Sequence, residues 1–120
     1  MGKILVADDH FGVRRLLVET FQEDQHEVET SENGAEALRL LIAFEPDLIL
    51  MDIKNGIETL GQIRALDRRV AVIMMTSYGD PQNMEQAKDL GILYYMNKPF
   101  DLFELRERVR EILNGSTIAL

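Results

Sequence analysis

The chain has 120 residues, with 13 lysines and arginines against 21 aspartates and glutamates, two histidines and no cysteine. This length suits one domain, and the 46% apolar share is ordinary for a globular rather than a disordered protein. The net charge of −8 argues against direct binding to nucleic acid, and the lack of cysteine rules out disulfides and thiolate metal sites. We expect a soluble, cytoplasmic domain over residues 1–115 with a tail over 116–120, and neither a signal peptide nor a membrane span.

Five short apolar segments alternate with five stretches of helical periodicity along the chain. The segments predict strands over residues 4–7, 27–30, 47–51, 70–75 and 93–96. Helices are predicted to begin near Phe11, Asn33, Ile57, Pro81 and Asp101, where capping residues or a proline at the first helical position mark several of the starts. The first, third and fourth strands are almost wholly apolar, as is typical of parallel strands covered on both faces. The order predicts an α/β fold, a doubly wound, five-stranded parallel sheet.

Polar side chains follow the predicted strands at the points where the strands end. They are Asp8, Asp9 and His10 after the first strand, Asp52 after the third, Thr76 after the fourth, and Lys98 after the fifth. Because ligands of open α/β sheets bind at the carboxyl ends of the strands, we expect these side chains to converge. Three neighbouring carboxylates repel one another unless a cation lies among them, and oxygen ligands favour Mg²⁺, with Mn²⁺ or Ca²⁺ as substitutes. Lys98 and Thr76 would then bind an anionic group, for which a phosphoryl group is the obvious candidate.

These motifs resemble the receiver domain of bacterial two-component response regulators across almost the whole chain. The matching residues are Asp8-Asp9, Leu50-Met51-Asp52, Thr76 after an apolar strand, and Lys98-Pro99-Phe100, all in the order that the family has. Within the family, the chain is most similar to stand-alone receivers of sporulation-type phosphorelays. The resemblance implies the flavodoxin-like (βα)5 topology and a cis bond between Lys98 and Pro99.

The resemblance also implies a role for each matching residue. Asp52 would accept a phosphoryl group from the phosphohistidine of a partner, and Thr76 and Lys98 would contact that group. Asp8, Asp9, Asp52 and the backbone carbonyl of Lys54 would hold Mg²⁺. Tyr95 would be the switch aromatic that responds when Thr76 engages the phosphoryl group. The chain would thus be phosphotransferase-like, without being a conventional turnover enzyme.

Residues around the acidic edge are candidates for binding a sensor histidine kinase and a histidine phosphotransferase. The first helix has an apolar face that is wider than one core contact needs. Leu17 and Phe21 are its predicted core residues. His10 and His26 are interpreted as surface histidines rather than metal ligands. The predicted partner-binding residues are His10, Gly12, Val13, Leu16, Tyr78, Pro99 and Phe100.

One loop departs from the family pattern. Members usually carry a Met-Pro-x-Met segment after the Asp-x-Lys motif, whereas here Asp52-Ile53-Lys54 leads directly into Asn55-Gly56, four residues short. The chain can span at most ~14 Å from Asp52 to Gly56. A short, strained connection favours domain swapping, so we hypothesise a swapped or otherwise unusual dimer beside the expected monomer.

Three other functions remain to be weighed against a phosphorelay receiver. The first alternative is a receiver module of a longer transcriptional regulator, which acts as a dimerisation switch controlled by phosphorylation. The second alternative is a degenerate receiver, in which the short loop has abolished phosphorylation and only binding is left. An aspartate-nucleophile phosphatase is set aside, because it typically needs a second aspartate where Lys54 stands.

Overall fold

Strands and helices alternate along the part of the chain that the computed structural model describes, residues 2–76 and 81–115. The strands are β1 (Lys3–Asp8), β2 (Glu27–Ser31), β3 (Leu48–Asp52), β4 (Ala71–Thr76) and β5 (Tyr94–Asn97). The helices are α1 (Phe11–Glu23), α2 (Gly34–Phe44), α3 (Gly56–Leu66), α4 (Pro81–Asp89) and α5 (Leu102–Leu113). Each predicted strand agrees with the structure to within one residue at either end. The predicted tail, residues 116–120, lies outside the described residues.

The five strands form one parallel sheet in the order β2-β1-β3-β4-β5. The chain reverses its direction of travel across the sheet between β2 and β3, which is the doubly wound arrangement that the sequence predicted. The central register pairs Asp8 of β1 with Asp52 of β3, so these two carboxylates lie side by side at the carboxyl edge.

Each face of the sheet is covered by helices, and this explains the unbroken apolar runs in the central strands. On one face, alternate residues of β1, β3 and β4 pack against α2, α3 and α4; the fully buried ones include Leu5, Ile49, Val72, Leu60, Ile63 and Ala87. On the other face, the intervening strand residues pack against α1 and α5, and they include Ile4, Leu50, Ile73, Leu17, Phe21 and Leu105. The predicted core positions Leu17 and Phe21 are confirmed.

Local capping agrees with the sequence where the structure describes it. The Asn33 side chain accepts a hydrogen bond from the Glu36 backbone N–H at 2.9 Å, and Asp101 accepts from two N–H groups in the first turn of α5. Gly115 follows α5 with a positive φ of 71°, as expected of a residue that ends a helix.

Only three residues connect β3 to α3. Asn55 adopts a left-handed conformation with φ 59°, which asparagine tolerates better than most residues, and Ile53 is buried. This tight turn leads α3 back onto its own sheet, where Leu60 and Ile63 are buried. The hypothesis of a swapped dimer stays a prediction.

Within the described ranges, no helix is both long enough and apolar enough to cross a bilayer.

Candidate functional site

Three strands bring one ammonium group and two carboxylates together at the carboxyl edge of the sheet. Asp8 ends β1, Asp52 ends β3, and Lys98 follows β5 immediately. The Lys98 Nζ lies 2.8 Å from Asp8 Oδ2 and 2.5 Å from Asp52 Oδ2. Residues separated by up to 90 positions in the chain therefore form one ion-paired cluster.

The cluster is largely shielded from solvent, and this affects the pKa of Lys98. Asp8 is fully buried, Lys98 is nearly so, and the Asp52 side chain remains 20% exposed. Burial on its own would lower the pKa of the Lys98 ammonium, but hydrogen bonds to Asp52 and Asp8 and their negative charges outweigh it. The net effect raises the pKa of Lys98 above its ordinary value, so this side chain stays a cation at neutral pH.

The second oxygen of Asp8 faces a different set of groups. Asp8 Oδ1 accepts a hydrogen bond from the His10 backbone N–H at 2.8 Å. The His10 ring Nδ1 lies 3.1 Å from the same oxygen and 3.0 Å from Asp9 Oδ1. Asp9 lies at the rim, with 48% of its side chain exposed, and His10 is 63% exposed.

The donor set at this edge fits a divalent cation. Asp8, His10 and Asp52 each offer one ligand atom, and these atoms lie within 4.8 Å of one another. Two carboxylates suit Mg²⁺, and a cation would offset the charge that Lys98 alone leaves uncompensated. Asp9 lies outside this group of three, and Lys54 lies in the exposed turn after β3. The full ligand set inferred from the sequence stays a prediction.

A cavity of about 350 Å³ opens beside Asp52, between α3 and α4. Its wall includes Thr76 at the end of β4 and Tyr95 in β5. The Lys98 backbone N–H donates to the Thr76 carbonyl at 2.5 Å, which fixes the Lys98 backbone beside β4. Both residues that were predicted to respond to phosphorylation therefore border the same space as Asp52.

The predicted partner-binding residues occupy different surroundings. Gly12, Leu16 and Pro99 are exposed, and the Lys98–Pro99 peptide bond is cis as expected. Val13 and Phe100 are half-buried and pack against the core between the sheet, α1 and α5. Val13 is thus only partly exposed, because the wide apolar face of α1 partly packs inward, and its role in partner binding stays a prediction. Tyr78 lies outside the described residues.

The sequence interpretation missed several contacts near the site. His10 is a surface residue, as interpreted, with 63% of its side chain exposed, but its ring also meets two carboxylates. Arg14, one turn into α1, donates from Nη1 to the Asp8 carbonyl at 2.7 Å and pairs with Glu32 at 3.1 Å. An arginine one helical turn after the acidic pair is a signal that could have indicated this contact. His26, at the opposite end of the sheet, is half-buried and accepts a hydrogen bond from the Gly2 N–H.

Comparison with known proteins identifies the family. The sequence pattern of the response regulator receiver domain matches residues 4–110. The chain belongs to this family. It is 38% identical to sporulation initiation phosphotransferase F of Bacillus subtilis (strain 168), over 92% of this chain and 93% of that protein.

The chain is also similar to a longer regulatory protein and to a receiver of known structure. It is 37% identical to regulatory protein AtoC of Escherichia coli (strain K12) over 94% of this chain, which corresponds to only 25% of AtoC. The solved structure of the response regulator TrrA from Thermotoga maritima, in complex with Mg²⁺-BeF, superposes with a TM-score of 0.80 at 32% identity. That superposition covers 93% of this chain and 99% of the other. The predicted family and fold are confirmed.

Proposed function

We propose that this receiver accepts a phosphoryl group on Asp52 from the phosphohistidine of a partner and passes it to a histidine phosphotransferase in a sporulation-type phosphorelay. One observation carries the proposal: Lys98 Nζ bridges Asp52 and the buried Asp8, at the edge where the strands of this fold present their ligands. The chain is similar to sporulation initiation phosphotransferase F over nearly the full length of both proteins, which supports a role in phosphoryl relay.

The reaction requires a nucleophile that a partner can reach and cations that stabilise the transferred group. A carboxylate oxygen of Asp52, which is partly exposed, attacks phosphorus while the nitrogen–phosphorus bond breaks and its electron pair leaves on the partner's imidazole. Lys98 Nζ already lies 2.5 Å from Asp52 and stays charged, so it pairs with the arriving phosphoryl oxygens. Thr76, in the wall of the same cavity, donates its hydroxyl to another phosphoryl oxygen.

The acidic groups beside Asp52 would hold the metal ion. Asp8, Asp9, Asp52 and the Lys54 carbonyl are the proposed protein ligands, and Mg²⁺ is the proposed ion. When bound, Mg²⁺ neutralises charge on the phosphoryl oxygens. The Mg²⁺-BeF complex of TrrA supports this choice by similarity.

Signal output would begin at the cavity and at the first helix. Tyr95 borders the cavity together with Thr76, so engagement of Thr76 by the phosphoryl group changes the packing around the tyrosine. Gly12 and Leu16 are exposed on α1 next to the acidic edge, where a partner that reaches Asp52 would also touch them.

The test is phosphorylation by a small phosphodonor with Mg²⁺, followed by intact mass. One added phosphoryl group is expected in the wild type and in Asp89→Asn, a control that removes an exposed aspartate from the end of α4. Asp52→Asn is expected to show none. Addition of the group to Asp52→Asn, or its absence from folded wild-type protein, would overturn the proposal and leave a degenerate receiver that only binds.

A second candidate is the receiver module of a longer transcriptional regulator that dimerises on phosphorylation. It is favoured by the similarity to AtoC, of which this chain spans a quarter. Light scattering of the phosphorylated protein and transfer of the group to a histidine phosphotransferase separate the two candidates. A monomer that donates its phosphoryl group supports the relay, whereas a doubled mass without transfer supports the switch.

A further inference from the structure

The His10 ring lies against the two carboxylates that follow β1. Its Nδ1 is 3.1 Å from Asp8 Oδ1 and 3.0 Å from Asp9 Oδ1. Among the residues that the structure describes, Asp8, His10 and Asp52 form the one group of three or more titratable ligands close enough to share a cation.

These spacings match the edge of an octahedral metal site. Ligand atoms at ~2.1 Å from a metal and at right angles to each other are separated by about 3.0 Å. His10 Nδ1 keeps that separation from both carboxylate oxygens. One atom from each of Asp8, His10 and Asp52 lies within 4.8 Å of the other two, so one cation can contact all three residues after small movements of the side chains.

The backbone holds the ring in this position. His10 is the residue before α1, and its N–H donates to Asp8 Oδ1 at 2.8 Å, which fixes the turn between strand and helix. Its side chain makes no capping hydrogen bond to the helix, so the ring nitrogen faces the carboxylates instead. Asp8 meanwhile divides its two oxygens, with Oδ2 toward Lys98 and Oδ1 toward His10.

We propose that His10 Nδ1 is a nitrogen ligand of the metal site, which gives this receiver a preference for first-row transition-metal dications over Mg²⁺. Imidazole binds such cations well, whereas Mg²⁺ selects oxygen ligands and gains little from a nitrogen. This inference rests on the proposed metal site, and it adds a residue and a metal class that the oxygen-only set lacks.

The test uses Mn²⁺ as a paramagnetic probe on untagged, metal-free protein at pH 8. Electron spin-echo modulation of bound Mn²⁺ detects a directly coordinated ¹⁴N nucleus. We expect imidazole modulation in the wild type and in His26→Gln, and its loss in His10→Gln. His26 is a matched control because it is the only other histidine in the chain and lies at the opposite end of the sheet.

Competition between Mn²⁺ and Mg²⁺, followed by the free Mn²⁺ signal, gives the second readout. His10→Gln is expected to reduce the preference for Mn²⁺ over Mg²⁺ by about tenfold. Bound Mn²⁺ without ¹⁴N modulation in the wild type, modulation that survives in His10→Gln, an unchanged preference, or no Mn²⁺ binding would each overturn the inference. Phosphorylation of the wild type with Mg²⁺ is scored separately by mass, so failure of the His10 inference is distinguishable from failure of phosphotransfer.

Discussion

The ion pairs of Lys98 offer the sharpest test of how this site is held together. Lys98→Met keeps the length of the side chain but removes its charge, and leaves Asp8 buried without a cation. At an effective dielectric constant of ~20, the two contacts at 2.8 and 2.5 Å are worth roughly 6 and 7 kcal/mol of gross attraction. Desolvation cancels most of this, and removing one partner of a buried pair typically costs 3–5 kcal/mol.

We expect Lys98→Met to lower the free energy of unfolding by about 3 kcal/mol, the low end of that range, because water still reaches Asp52. With an unfolding entropy of about 2.1 cal/mol/K per residue, a chain of 120 residues would lose about 12 °C in Tm. The assay is urea and thermal unfolding at pH 7 with a chelator. The folded-state pKa of Lys98 is raised, so its contribution is fully present below pH 10.5 and is lost only at higher pH.

The control is Lys54→Met, which removes the same charge from an exposed turn two residues after Asp52 and should change stability by less than about 0.5 kcal/mol. Equal stability of Lys98→Met and Lys54→Met would refute the reasoning. It would mean that the carboxylates around Lys98 do not depend on its charge for their burial.

Two further predictions concern packing and pH. Gly34→Ala places a Cβ against Thr59 Oγ1 and should destabilise the protein by about 1–3 kcal/mol, whereas Gly61→Ala, whose Cβ meets nothing within 4 Å, should stabilise it by about 0.5–1 kcal/mol. Urea unfolding measures both, and two changes of the same sign would contradict the packing geometry. The His26 ring accepts a hydrogen bond from the Gly2 N–H, and burial lowers the pKa of this histidine. The stability that neutral His26 contributes is therefore present above pH 6.5 and is lost as the pH falls through the lowered pKa. The Tm of the wild type should therefore fall between pH 7 and pH 5, and His26→Gln should reduce this fall. An unchanged dependence of Tm on pH in the variant would contradict the assigned role of His26.

The alternation of strands and helices was predictable because it depends on local patterns. The central strands are continuous apolar runs, which only a sheet covered on both faces can bury, and Asn33 and Asp101 mark helix starts through hydrogen bonds within one turn. The convergence of Asp8, Asp52 and Lys98 was predictable for a related reason. Parallel strands in a sheet end at the same edge, so residues that follow them meet there.

The contacts made across that edge were not predictable in the same way. The sequence places Val13 on an apolar face of α1. Its half-burial depends on the orientation of α1 relative to α5, which the sequence pattern does not specify. No motif in the sequence singles out Arg64, but its guanidinium donates to the carbonyls of Val70 and Leu90 at 2.7 and 2.6 Å. These bonds join the loop before β4 to the end of α4. Such contacts depend on the relative placement of elements that are distant in sequence.

The sequence by itself determined the family, the order of the elements and the residue types gathered at the carboxyl edge. These features follow from periodicity and short motifs, which depend only on residues that are close together in the chain. The tertiary structure decided which atoms meet: Asp8 directs one oxygen to Lys98 and the other to His10. The physical reason is that a burial pattern tolerates small shifts of a helix or a turn, whereas a hydrogen bond or a metal ligand is made or lost within less than an ångström.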